Sequence, residues 1–149
     1  MKKSPLSQQT RTDAGLASVL SVTVGRLARR LRAQRLDASL SLGQNAALFT
    51  LARHGEMTPG ELAEHEKVQP PSMTRIVAAL EERGLVRRTR HPEDQRRQLV
   101  DLTEEGREMV RADRRRRQAW MAQRLKELTP QEKDTLRRAA EIMDRLTQA

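Results

Sequence analysis

The chain has 149 residues, the length of one domain, which buries roughly 68–70% of its unfolded surface. Phe49 and Trp120 are the only aromatic side chains apart from histidine, so Leu, Val, Ala and Met must build the core, which favours packed helices over a sandwich or barrel. A net charge of +9 points to an anionic partner, nucleic acid or a membrane surface, and the lack of cysteine excludes disulfides, thiolate metal sites and thiol redox sensing.

The start, "MKKSPLSQQTRTDAG", has two lysines with no apolar run behind them, so no signal peptide is expected. No stretch has the apolar length of a membrane span, and a cytoplasmic protein without a membrane partner is expected. Residues 1–12 read as a loose tail, and a single domain is expected over 13–149. Asp13 is the expected N-cap of a first helix on which Leu16, Leu20, Val24, Leu27 and Leu31 recur at helical spacing. Its first half, "AGLASVLSVTV", is apolar nearly all round, as in a helix buried on most sides. Its second half carries Arg26, Arg29, Arg30, Arg32 and Arg35.

"SLGQNAALFTLARHGE" predicts a second helix with Gly55 as its C-cap. Thr58, Pro59 and Glu61 then form a capping box, and "QPP" at 69–71 ends that short helix and opens another, "PPSMTRIVAALEERG", as far as Gly84. Two short helices with a tight joint make a helix-turn-helix candidate. "LVRRTR" and "RQLVDLT" follow as strands of a hairpin around "HPED", with Val100 and Leu102 on one face and Asp101 on the other. Thr103 caps a long helix expected to reach about Leu128, and "TPQE" at 129–132 opens a last helix on Leu136, Ala139, Ala140, Met143 and Leu146.

No convergent catalytic set can be assembled. His54, His65 and His91 belong to no metal-spaced cluster, and there is no phosphate loop or activated nucleophile, so neither enzyme nor cofactor is expected. The helix from Pro70 says more. Met73, Ile76, Val77 and Leu80 share its core face. Pro71, Arg75, Ala78 and Glu82 lie opposite, with Ser72, Thr74 and Ala79 on the flanks. Small and hydroxyl side chains admit DNA closely, and Arg75 has the length to reach guanine O6 and N7. The candidate contacts are therefore Pro71, Ser72, Thr74, Arg75 and Ala78 on the helix, and Arg88, Arg90, Asp94, Arg96 and Arg97 in the hairpin. A helix pair followed by an arginine-rich hairpin is the winged arrangement, whose tip suits a narrow, strongly negative minor groove.

"ELAEHEKVQPPSMTRIVAALEERGLVRR", Asp94, Arg96 and "LVDLTEEG" at 99–106 resemble the multiple antibiotic resistance regulator (MarR) family of bacterial transcription factors. The resemblance implies a mainly α winged helix-turn-helix with a small β-hairpin wing. It implies a DNA-binding lobe over 42–103 and a homodimer joined through 13–36 and 104–149. It implies a regulator, a repressor in many members, that binds a pseudo-palindromic duplex operator and is released by a small anionic or phenolic ligand. Phenol-binding members line that pocket with rings and oxidant-sensing members use cysteine, and this chain departs from both patterns.

The run "RADRRRRQ" points all round a helix, which favours a solvated face with ion pairs to Asp113 and Glu108 over a DNA patch. Arg26 to Arg35 suit flanking phosphates or solvent equally. Asp94 is expected to brace the wing by pairing with Arg96 or a neighbouring arginine rather than to bind metal, and Trp120 to serve packing. His54 and His65 are expected as exposed helix-end residues within reach of an anionic ligand. The rival functions are a non-specific basic nucleic-acid-binding or architectural protein, a membrane-surface or RNA binder, and a helical module that grips another protein; scarcity of rings argues against RNA.

Overall fold

The computed structural model describes residues 5–35 and 37–148. In chain order the elements are α1 (Pro5–Gln9), α2 (Asp13–Arg32), α3 (Leu42–His54), α4 (Pro59–Glu66), α5 (Pro70–Glu82), β1 (Val86–Arg90), β2 (Gln98–Leu102), α6 (Glu104–Leu125) and α7 (Pro130–Thr147). They fall into two compact units, one holding the chain up to Gln34 and from Arg116 onward, the other Arg35–Arg115. The boundary cuts α6, so its first three turns belong with the helix-turn-helix.

In the unit Arg35–Arg115, α3, α4 and α5 surround an aliphatic core. Leu40, Leu48, Leu51, Leu62, Met73, Val77 and Leu80 are buried there, joined by Val86, Val100 and Leu102 from the hairpin. Phe49 only packs against the edge of this core, so Leu, Val, Ala and Met supply its centre. Burial of each large aliphatic side chain contributes about 1.5–3 kcal/mol. Strands β1 and β2 pair antiparallel, with Val86 opposite Leu102, Arg88 opposite Val100 and Arg90 opposite Gln98. Met57 adds a short third rung, exchanging two backbone hydrogen bonds with Val100 at 3.1 and 2.8 Å.

The caps are local chemistry. Thr58 accepts from the Glu61 N–H at 3.2 Å while Glu61 accepts from the Thr58 N–H at 2.9 Å. Thr103 accepts from the Gly106 N–H at 3.1 Å and donates to the Gly84 carbonyl at 2.6 Å, locking the start of α6 to the end of the helix-turn-helix. Ser41 and Gln44 form a further capping box at α3. Between α4 and α5 the turn is made by Lys67, whose φ of 52° is left-handed.

The other unit differs from the expectations at several points. Within the tail expected over 1–12, residues 5–9 form α1, while residues 1–4 lie outside the described residues. Gly15 admits it: a Cβ there would sit 1.8 Å from the Gln9 carbonyl oxygen, so only glycine lets that segment fold back. The N-cap of α2 is Thr12, not Asp13; its hydroxyl accepts from the Gly15 N–H at 3.1 Å, and Asp13 becomes the first-turn acid. And α2 buries no residue within the single chain, with Leu16, Val22, Val24 and Leu27 each at least 40% exposed. The helix ends at Arg32, and residue 36, the last of the 13–36 segment, lies outside the described residues. α6 stops at Leu125, and residues 126–128 continue as a looser turn.

Candidate nucleic-acid interface

The helix-turn-helix presents α5. Its core side is set by Met73, Val77 and Leu80, all at most 1% exposed, with Ile76 half-buried. This fixes the opposite side outward. Pro71, Ser72, Thr74, Arg75 and Ala78 are all exposed, and Arg75 makes no ion pair with any described residue. Thr74 donates its hydroxyl to the Pro70 carbonyl at 3.0 Å, which leaves its lone pairs outward. No side chain caps α5, and little capping is needed: Pro70 and Pro71 have no N–H to leave unpaired.

The wing is built by its own side chains. His91 Nδ1 accepts from the Glu93 N–H at 3.1 Å, and the Arg97 carbonyl accepts from the His91 N–H at 2.9 Å. Asp94 Oδ1 accepts from the Arg96 N–H at 3.0 Å. Asp94 thus braces the wing through the backbone, not through the expected ion pair with a guanidinium, because a loop this tight brings the amide within reach first. Arg90, Arg96 and Arg97 are exposed. Arg97 stands 3.9 Å from Glu61, whose carboxyl is held below its usual range chiefly by the Thr58 N–H, with Arg97 and His91 adding to the effect. Arg88 is half-buried and lies 3.5 Å from Glu81 of α5.

The base of the helix-turn-helix is clasped from a distance. Arg83, the C-cap of α5, donates to Ser39 at 2.6 Å and pairs with Asp37 in a short ionic contact. Thr50 donates to Glu66 in another short hydrogen bond, joining α3 to α4.

The remaining candidates separate. On α6, Arg111 pairs with Glu104 at 2.8 Å and Glu108 at 3.1 Å, and Arg115 with Glu108 at 2.8 Å. The pairs to Glu108 agree with a paired, solvated face, while Asp113 is buried at 2% exposure rather than solvated. Arg26, Arg29, Arg30 and Arg32 are exposed and Arg35 half-buried. The Arg124 guanidinium lies 5.4 Å from the centre of the half-buried Trp120 ring. His54 and His65, both exposed, stack on each other at 4.6 Å. An open hollow of about 280 Å³ lies elsewhere in the lobe, floored by Leu51, Leu102 and Val110 and edged by Asp101, Arg107 and Arg114. Among the described residues no group of three or more His, Asp or Glu is placed to hold a metal, and no helix is long and apolar enough to cross a membrane.

Comparison with known proteins agrees with this geometry. The MarR family model matches residues 40–97, the span from the start of the core to the wing. An HTH-type transcriptional regulator of Mycobacterium bovis is 52% identical over 132 residues, covering 89% of this chain and 92% of that protein. The HTH-type transcriptional repressor MdtR of Bacillus subtilis is 31% identical over 138 residues, covering 90% and 87%. The crystal structure of a putative transcriptional regulator from Pseudomonas aeruginosa superposes with a TM-score of 0.82 at 29% identity, covering 92% of this chain and 96% of that one.

Proposed function

The chain belongs to the MarR family of transcriptional regulators, and within it we propose that this protein is a homodimeric repressor of a pseudo-palindromic duplex operator. The observation that carries the reading is the outward face of α5, where Ser72, Thr74 and Ala78 surround an Arg75 that makes no ion pair with a described residue, beside a wing with exposed Arg90 and Arg96. Small side chains allow close approach to base edges, Arg75 suits bidentate capture of guanine, and the wing arginines suit the adjacent minor groove or backbone. Asp94 serves by aiming Arg96, and Pro71 by opening the helix at its DNA-facing end.

The homodimer is supported by the apolar side chains that one chain leaves in water. Leu16, Val22, Val24 and Leu27 on α2, and Leu136, Ile142, Met143 and Leu146 on α7, are 37–66% exposed. Repression is supported by the name of the relative MdtR. Release by a small anion is supported by the hollow edged with Arg107 and Arg114; no ring lines it, which favours an anion over a phenol. A DNA operator places the site of action in the cytoplasm.

Selection from random duplexes tests the reading. The recovered sites form an inverted repeat whose half-sites lie about 34–36 Å apart, one turn of DNA. Recovery of no common sequence contradicts the operator and leaves a non-specific DNA binder.

A further inference from the structure

The five arginines of the hairpin do not share one environment. Arg87, Arg90 and Arg96 are exposed and make no ion pair with a described residue. Arg88 differs. Its side chain is 28% exposed, and its Nε is out of contact with water. That nitrogen lies 3.5 Å from Glu81 Oε2, a contact of charge rather than an aligned hydrogen bond, and Nη1 reaches Gln98 Oε1 at 3.5 Å. One guanidinium on β1 therefore meets the last turn of the recognition helix and the first residue of β2.

We propose that Arg88 is a positioning residue: with Glu81 it sets the wing at a fixed distance from the recognition helix, and it does not contact DNA. The inference rests on the DNA-binding reading above. A guanidinium with a desolvated Nε depends on the nearby carboxylate, and leaving for a phosphate would strip it of that partner. Only Arg83–Leu85 separate α5 from β1, so the angle between the two is set where Arg88 sits. A two-point grip on DNA tolerates little error in that spacing, since binding groups work only when held within about 0.5 Å of their productive geometry.

Charge and geometry make opposite predictions for Glu81. Replacing an acid beside a DNA-binding face removes repulsion from phosphates, so on charge alone Glu81→Gln tightens binding. If the pair positions the wing, Glu81→Gln weakens it.

The test uses fluorescence anisotropy of the full chain on the duplex that the wild type selects, across a salt series, for Glu81→Gln and Arg88→Gln. Glu81→Gln is expected to weaken binding about tenfold, the scale of one spoiled base-pair contact. Arg88→Gln is expected to do the same while the slope of log affinity against log salt stays at the wild-type value. Equal or tighter binding by Glu81→Gln overturns the proposal. So does a slope shallower by about 0.9 in Arg88→Gln, the mark of one lost phosphate contact. The Glu81 side chain is 45% exposed, so Glu81→Gln keeps the fold and carries the test even if a melting curve shows Arg88→Gln to be unstable. A wild type that selects no duplex defeats the DNA-binding reading first, and the proposal with it.

Discussion

Gly106 on α6 lies directly against Leu85 at the entrance to β1. A Cβ at 106 would stand 2.1 Å from the Leu85 carbonyl oxygen, and that same carbonyl accepts the Thr103 N–H at 3.1 Å. The long helix and the wing therefore meet backbone to backbone, with Thr103 bonded to Gly84 alongside. Any side chain at 106 would force α6 off the hairpin.

The sign of Gly106→Ala follows from this contact. In an ordinary helix interior the change stabilises by about 0.5–1 kcal/mol, because alanine loses less backbone entropy. Here overpacking dominates, and a net loss of about 1–3 kcal/mol is expected in a urea unfolding midpoint. A raised midpoint would mean that α6 can retreat from Leu85 at no cost.

The clasp between Asp37 and Arg83 makes stability depend on acid. Hydrogen bonds from the Ser39 hydroxyl and N–H, and then from Arg83, hold the Asp37 carboxyl at about 2 against an ordinary 3.8. The folded state therefore binds fewer protons than the unfolded one in that range. The contribution is fully present above about 3.8 and is lost as pH falls toward about 2. Glu61 and Glu108, both held below 4.5, act in the same direction. Asp37→Asn should flatten the pH dependence of thermal unfolding in that window and leave the Glu contributions in place. An unaltered acid limb in Asp37→Asn would show that the clasp is also present when unfolded or contributes nothing.

On the recognition helix, Arg75→Ala should cost about 1–3 kcal/mol of operator affinity and relax preference at one base position, as expected for a bidentate guanine contact. Repeating the duplex selection with the variant checks this. Recovery of the wild-type sequence unchanged would remove Arg75 from base reading.

Arg96→Ala on the wing should weaken binding to all duplexes more evenly and make the salt slope shallower by about 0.9. Asp94→Asn should give a milder form of the same loss, because Asp94 reaches the wing through the Arg96 N–H. A loss confined to one sequence would instead show Arg96 reading bases.

What could be read in the sequence was what short-range chemistry decides. The capping boxes at Thr58–Glu61 and Thr129–Glu132, the glycine C-cap at 55 and the core stripe of α5 are encoded within four or five residues. The helix-turn-helix, its wing and the face carrying Arg75 follow from them. Ser41 and Gln44 close a further capping box of the same short-range kind, with Ser41 set between Leu40 and Leu42. α1 carries no such signal, because five residues hold too few turns for a periodic pattern. Contacts across long separations left no trace in sequence: Asp37 meets Arg83 46 residues away, and Glu81 meets Arg88 only after the chain has turned through Gly84. Asp94 was legible as a brace, but not its target, since an amide two residues on and a guanidinium nearby suit a carboxylate equally well on paper. The apolar first helix was legible as a face needing cover, and one chain alone does not supply that cover.

Sequence-specific binding through α5 is read by fluorescence anisotropy. The full chain is titrated onto the duplex upstream of its own reading frame and onto a shuffled duplex of equal composition, at two salt concentrations. The expected result is a preference of about 10³-fold or more that persists as salt rises. Equal binding to both duplexes, collapsing together with salt, would contradict it, for then the arginines hold phosphates and α5 reads nothing.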